Sequence, residues 1–188
     1  MAESQRIDLH EWLLDRYGPK GESLYMLANG LVAISVNGFA ALLLNQPLLF
    51  PSLSPTVFTL FRQPLTPQAS PRNTIVGHFV AITVGFFFLL VFGLSGEPSV
   101  LQEGVTLARI GAAALSVAVM EALLILIRTP HTPAGTTTLL VSLWLFTTER
   151  ELISLAAGIV LLTVVCWIIN RSFGAPVPVW GPEGQEKS

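Results

Sequence analysis

The chain has 188 residues, of which 52% are hydrophobic and 12% charged, and its mean hydropathy is +0.64. This charged fraction is about half that of a soluble domain, so the composition indicates a membrane protein. The formal net charge of -2 gives no hint of a nucleic-acid partner. The only cysteine, Cys166, excludes an intrachain disulfide and a cysteine-based zinc site.

Residues 1–22 are predicted to form an interfacial helix and a linker. In the stretch "DLHEWLLDRYGP", Asp8 has the character of an N-cap with Glu11 three residues later, and Gly18 and Pro19 end the pattern. Trp12 would lie at headgroup level. An ordinary solvated helix end is an equally acceptable interpretation.

Four hydrophobic runs follow, at about 24–44, 74–94, 104–127 and 151–170. Each approaches the ~20 residues that a helix needs to cross the hydrocarbon, so four full spans are predicted. Together they define a membrane domain over 23–171, with halves at about 24–94 and 104–170. The remaining residues, 172–188, are rich in proline, glycine and polar side chains and are predicted to be a flexible tail.

Two further hydrophobic segments are too short or too interrupted to be regular spans. They are "PLLFPSLSPTVFTLF", residues 47–61, and "RTPHTPAGTTTLLVSLWLF", residues 128–146. In the first, Ser54 precedes Pro55; in the second, Thr132 precedes Pro133. A hydroxyl residue followed by proline is typical of a helix start. Each segment therefore predicts a half-helix that begins inside the protein.

The order span, half-helix, span occurs twice, which indicates an internal duplication. If each broken segment crosses the membrane, six crossings result, the two halves form an inverted 3+3 repeat, and the N-terminus is cytoplasmic. Most basic residues then lie inside, namely Arg6, Arg16, Lys20, Arg62, Arg72, Arg128, Arg171 and Lys187. If the segments only re-enter, the basic residues divide without a bias. The sequence therefore favours an all-α membrane bundle of four full spans and two crossing half-helices.

In an inverted repeat the two half-helix starts would meet near the membrane midplane. Amides that lack partners at a helix start, together with the positive end of the helix dipole, form a ready site for an anion. The residues predicted to bind it are Ser54, Thr56, His131, Thr132, Gly135 and Thr136. The alternative is that both breaks are kinks that only stabilise a compact bundle.

Three ionisable residues are candidates for proton coupling or charge pairing. Glu121 is isolated in the apolar run "LSVAVMEALLILI", so its carboxylate could carry a coupling proton or pair with an arginine. His78 lies one turn into a span and could titrate near neutral pH. Arg72 either anchors at the cytoplasmic interface or lines an inner vestibule, while Asn73 is the simplest N-cap for the span that follows.

The segments "LLFPSLSPTVFTLF", "SPRNTIVGH" and "HTPAGTTTLLVSL" resemble the HPP family of integral membrane proteins, in the right order and over residues 24–170. The name-giving His-Pro-Pro is replaced by His131, Thr132 and Pro133. Some photosynthetic members are associated with nitrite transport. The resemblance therefore implies a transporter or channel for a small inorganic anion, with nitrite as the first candidate.

The main alternative function is a small membrane scaffold or assembly protein without transport activity. The sequence has no catalytic triad spacing, nucleotide loop, metal motif or redox cysteine pair, so we expect neither an enzyme nor a cofactor. The expected partners are a small inorganic anion, the lipid bilayer and a second copy of the chain. The expected location is the bacterial inner membrane.

Overall fold

The computed structural model describes residues 8–146 and 148–182. Within these ranges the chain forms eight α-helices, a single 3-10 turn and no strand. The helices are α1 Leu9–Tyr17, α2 Pro19–Leu44, α3 Leu53–Arg62, α4 Pro71–Val91, α5 Val100–Glu103, α6 Leu107–Leu126, α7 Ala134–Ser142 and α8 Glu149–Ser172, and the 3-10 turn is Pro67–Ala69. The all-α prediction is confirmed.

Four helices, α2, α4, α6 and α8, are long and apolar enough to cross a membrane. They coincide with the four predicted spans. The short helices α3 and α7 coincide with the two predicted half-helices and lie between the long ones in chain order. The outer faces of the long helices carry exposed leucine, isoleucine, valine and phenylalanine, as lipid-facing helices do.

The N-terminal helix forms as predicted, with the Asp8 carboxylate accepting a hydrogen bond from the His10 amide. Gly18 ends it with a left-handed φ of 58°, which a residue without a Cβ adopts without strain. However, Pro19 is already the first residue of α2, because proline fits the first helical position. Residues 19–22 are therefore the first turn of a span and not a linker.

The helix starts differ from the predicted caps. Ser52 precedes α3, so Ser54 and Pro55 lie inside its first turn, and Pro133 itself precedes α7. Proline is tolerated there because first-turn amides have no acceptor within the helix. The predicted N-cap role of Asn73 is also wrong: Ser70 caps α4, and its hydroxyl accepts from the Asn73 amide.

The segment after α8 is not a free tail over the part that the structure describes. Ala175 and Val177 are buried. Two carbonyls of the segment accept hydrogen bonds from the membrane domain. The Pro178 carbonyl accepts from the Trp167 indole, and the Trp180 carbonyl accepts from the Arg72 amide. Proline and glycine prevent a helix here but not packing. Residues 183–188 of the predicted tail lie outside the described residues.

Contacts between helix ends define how the broken segments run. Arg62, at the end of α3, forms an ion pair with Glu22 in the first turn of α2 (3.0 Å). At the opposite end of α2, Gln46 accepts a hydrogen bond from Arg150 at the start of α8 (2.8 Å). Residues 47–62 therefore lead from one end of α2 back to the other.

The second broken segment runs along α4. The imidazole of His131 contacts the Gln68 carbonyl in the loop before α4 (2.8 Å). After α7, the Leu143 carbonyl accepts a hydrogen bond from the Val100 amide, in the connection that follows α4 (3.3 Å). This segment therefore leads from the start of α4 to its end.

Both half-helices begin beside the middle of a long helix. A Cβ on Gly30, near the centre of α2, would lie 3.7 Å from Val57 in the second turn of α3. Ala134, the first residue of α7, packs in one cluster with Ala81, the central residue of α4. These packing contacts place the start of each half-helix at about half the length of a neighbouring long helix.

Candidate functional site

A groove of about 480 Å³ lies where α3 and α7 begin. It is lined by Ser54, Pro55, Phe58, Thr59, Thr132, Pro133 and Thr136. Three of the six residues predicted to bind an anion, Ser54, Thr132 and Thr136, are therefore brought together. The groove receives residues from both halves of the chain, although the two segments are more than 70 residues apart in sequence.

The hydroxyls along this groove are not equivalent. Thr132 Oγ1 donates to the side-chain carbonyl of Gln68 (2.7 Å), and Thr59 Oγ1 donates to the Pro55 carbonyl (3.0 Å). Ser54 and Thr136 make no side-chain hydrogen bond within the described residues. Their hydroxyls are thus available to a ligand in the groove.

The other three predicted residues do not line the groove. Thr56 and His131 are buried behind it. Gly135 lies toward α6, where an added Cβ would make ordinary contact with the Met120 methyl group at 3.8 Å. Gly135, which was predicted to bind the anion, is therefore turned away from the groove.

The backbone amides at the start of α7 are also occupied. The amides of Ala134, Gly135 and Thr136 donate to the carbonyls of the residues three positions earlier, at 3.1 to 3.2 Å. Such bonds tighten a first turn and use donors that would otherwise lack partners. These three amides are therefore already engaged, and the hydroxyls of Ser54 and Thr136 are the side-chain donors that remain in the groove.

Behind the groove, His78 of α4 joins the two half-helices. Its Nε2 lies 3.0 Å from Thr56 Oγ1 of α3, and its Nδ1 lies 2.8 Å from Thr137 Oγ1 of α7. All three residues have no solvent exposure. A buried imidazole whose two nitrogens contact one hydroxyl from each half of the chain fixes α3 and α7 relative to α4.

His131 extends this network toward the surface. Its Nε2 lies 3.2 Å from His78 Nε2, and its Nδ1 lies 2.8 Å from the Gln68 carbonyl. The two rings are tilted by 65° with centroids 4.9 Å apart. The close approach requires Gly77, where a Cβ would lie only 2.9 Å from the His131 Cβ.

Metal binding would need more ligands than this network supplies. Within residues 8–146 and 148–182, no group of three or more histidine, cysteine, aspartate or glutamate side chains is placed to hold a metal ion. The polar atoms around the two imidazoles are hydroxyls and one carbonyl, which exchange hydrogen bonds. The arrangement is therefore suited to moving protons or orienting hydroxyls.

Glu121 lies elsewhere, in a second groove of about 570 Å³ along α6 that also includes Arg109, Ala114 and Ala118. Its side chain is exposed and forms no ion pair within the described part of the chain. Two arginines that were candidates to pair with Glu121 bind other carboxylates: Arg109 bonds to Glu103, and Arg62 bonds to Glu22. Pairing of Glu121 with either arginine is therefore not found.

Arg72 lies at the start of α4, under the C-terminal segment. Its guanidinium donates to Asn73 Oδ1 (3.4 Å), and Gly181 approaches its side chain. It does not line the groove between the half-helices. A vestibule role for Arg72 thus has no geometric support.

Sequence reasoning missed two residues of the network, Thr137 and Gln68. Thr137 has a recognisable signal, since it falls one turn into an apolar half-helix, as Thr56 does. Gln68 has no such signal in the sequence. Its main-chain carbonyl and its side chain reach His131 and Thr132 only because of the conformation of the loop before α4, which composition does not specify.

The architecture has a counterpart among known families. The family model described as the HPP transmembrane region matches residues 17–178. The chain belongs to the HPP family. No curated protein and no solved structure shows a significant match to it. It is thus an integral membrane protein of the HPP family, and its four apolar helices are consistent with a membrane transporter or channel.

Proposed function

We propose that this HPP protein is a transporter or channel for a small inorganic anion, with nitrite as the first candidate. One observation carries the proposal: the starts of both half-helices line the same groove, and two of its hydroxyls, Ser54 and Thr136, have no partner in the described chain. Scaffold proteins need neither broken spans nor free donors at that depth.

The lining of the groove suits a small monovalent anion. It offers hydroxyl donors and an aromatic wall from Phe58, and none of its lining residues is charged. A full countercharge would hold an ion too tightly for turnover, whereas a few donors bind it weakly enough to be released. The choice of nitrite among such anions comes from the family resemblance.

The helix-end contacts support an inverted repeat with six crossings. Residues 47–62 lead from one end of α2 to the other, as the Arg62–Glu22 and Arg150–Gln46 contacts indicate. Residues 128–143 lead from the start of α4 to its end, which is the opposite direction to that of residues 47–62. Under this proposal both termini lie on the cytoplasmic side, in a bacterial inner membrane, because most of the basic residues are then inside.

The test is nitrite uptake into proteoliposomes, at a pH well above that at which nitrous acid forms. Wild-type protein should take up nitrite faster than protein-free liposomes. Thr136→Val removes one hydroxyl of nearly unchanged shape, and losing a hydrogen bond to a charged group costs about 1.5 to 3 kcal/mol, a roughly tenfold to hundredfold loss of affinity.

A matched control is Thr83→Val, because Thr83 is exposed on α4 and bonds only to its own helix at the Phe79 carbonyl. This variant should transport like wild type. Uptake by wild-type protein no faster than by protein-free liposomes would overturn the proposal in favour of a scaffold.

A further inference from the structure

The proton positions in the buried network follow from its hydrogen-bond partners. Thr56 Oγ1 donates its only proton to the Ser52 carbonyl (2.8 Å), so toward His78 it can only accept. The Gln68 carbonyl has no proton, so His131 must donate to it from Nδ1. These two bonds place one proton on His78 Nε2 and one on His131 Nδ1.

The remaining contacts agree with this assignment. In a neutral His131 ring, Nε2 is then an acceptor. The His78 Nε2 proton is shared between this nitrogen, 3.2 Å from His78 Nε2, and Thr56 Oγ1, 3.0 Å from it. His78 Nδ1 is likewise an acceptor, and the Thr137 hydroxyl donates to it at 2.8 Å. Two neutral rings therefore satisfy all four of these contacts.

One more proton fits only after a defined rearrangement. If it arrives on His78 Nδ1, that nitrogen becomes a donor to the Thr137 hydroxyl, while Nε2 keeps its proton toward Thr56 and His131. The Thr137 hydroxyl then turns to the carbonyl four residues earlier, as Thr138 already does toward Ala134 (3.2 Å). A second added proton would make both imidazoles cations, with their Nε2 atoms only 3.2 Å apart. The pair therefore takes up one added proton.

Among the described residues, no charged group contacts the resulting cation. α3 presents Thr56 to the pair, α7 presents Thr137, and the 3-10 turn presents the Gln68 carbonyl, none of which is charged. The only titratable group that faces either ring is the other imidazole, among the residues that the structure describes.

Charged residues of the surrounding helices are engaged or lie apart. Arg62 pairs with Glu22, and Arg72 lies under the C-terminal segment. The charged residues of α6, Arg109 and Glu121, line the separate groove. A buried cation without a partner is strongly unfavourable, so the pair stays neutral until an anion is nearby.

The groove supplies the place for that anion. Thr132 and Thr136, which line it, directly neighbour His131 and Thr137 of the network in sequence, and Ser54 is two residues from Thr56. We propose that the His78–His131 pair is a proton-binding site that takes up one proton when an anion occupies the groove. The anion then moves together with a proton. This inference rests on the proposed function.

Calorimetry of nitrite binding to the purified full-length protein at pH 7 tests it. Titrations in two buffers of different ionisation enthalpy, with a large organic anion as the only counter-ion, give the number of protons taken up per nitrite. We expect close to one proton for wild type and close to zero for His131→Gln and His78→Gln.

His10 is the remaining histidine of the chain and belongs to α1, so His10→Gln is the matched control and should keep one proton per nitrite. Nitrite binding to wild type without proton uptake would overturn the inference and leave the anion site standing. Absence of nitrite binding would overturn the proposed function itself. If neither network variant folds, the wild-type proton count alone decides.

Discussion

Thr56 and Thr137 occupy equivalent positions, since each is the fourth residue of its half-helix and each hydroxyl contacts one nitrogen of His78. One belongs to each half of the chain. Hydroxyls at the same position of the two half-helices thus lie on opposite sides of a single imidazole. A ligand in the adjacent groove would be sensed by both half-helices at once.

The first prediction concerns Thr137, the hydroxyl that donates to His78 Nδ1. Thr137→Val leaves this buried acceptor without a partner, which should lower the free energy of unfolding by about 1 to 3 kcal/mol. SDS titration in mixed micelles measures it. Thr138→Val is the control, because its hydroxyl bonds only to the Ala134 carbonyl of its own helix. Equal stabilities of both variants would show that the His78 contact contributes nothing.

The second prediction concerns the close approach of α4 to the segment before α7. A Cβ on Gly77 would lie 2.9 Å from the His131 Cβ, so Gly77→Ala should displace His131 and destabilise the fold by about 1 to 3 kcal/mol. The melting temperature in detergent reports this loss. Gly30→Ala meets Val57 only at 3.7 Å and should be tolerated. A Gly77→Ala protein as stable as wild type would contradict the packing described.

Much of this architecture could be predicted from local sequence. The four spans and both half-helices follow from hydrophobic length and from prolines that interrupt it. The exact helix starts could not, because proline is acceptable at several first-turn positions and Ser52, Ser54 and Ser70 are all chemically able to cap.

The site was less predictable for a different reason. Whether Gly135 or Thr136 faces the groove depends on the rotation of α7, which packing against α4 and α6 sets and periodicity in so short a helix does not. The pairing of His78 with His131 joins residues 53 positions apart through tertiary contacts. Only the hydroxyl spacing within each half-helix carried a local signal.

The third prediction is topological. Single cysteines at Lys20 and Thr66 should react with a membrane-impermeant reagent from one side of the membrane, and a cysteine at Glu97 from the other. Native Cys166 is fully buried and should stay unlabelled. Labelling of positions 66 and 97 from the same side would rule out six crossings and the inverted repeat.

The fourth prediction concerns the outer face of α6. Ala114, Ala118 and Glu121 are exposed there, and a carboxylate facing lipid is unfavourable unless another polar group covers it. A second copy of the chain, related by a two-fold axis, would bring Glu121 against its counterpart across small residues that allow close contact. Oxidation of Ala118→Cys in membranes should therefore give a covalent dimer.

Leu31→Cys, on the exposed face of α2, is the control and should remain monomeric under the same oxidation. Absence of a dimer with Ala118→Cys would place the homo-oligomer interface elsewhere.

In the calorimetric titration of nitrite binding, Glu121→Gln should keep one proton per nitrite, because Glu121 does not line the groove between the half-helices. Loss of proton uptake in this variant would assign the coupling proton to Glu121 instead of the histidine pair.

Anomalous diffraction from crystals of the full-length protein soaked in bromide tests the central claim most directly, because bromide is a small monovalent anion whose position can be measured without ambiguity. The account predicts an anomalous peak in the groove between α3 and α7, within hydrogen-bonding distance of the Ser54 and Thr136 hydroxyls, that disappears when nitrite is added. Bromide bound only at the protein surface, with an empty groove, would contradict a shared anion site at the two half-helix starts.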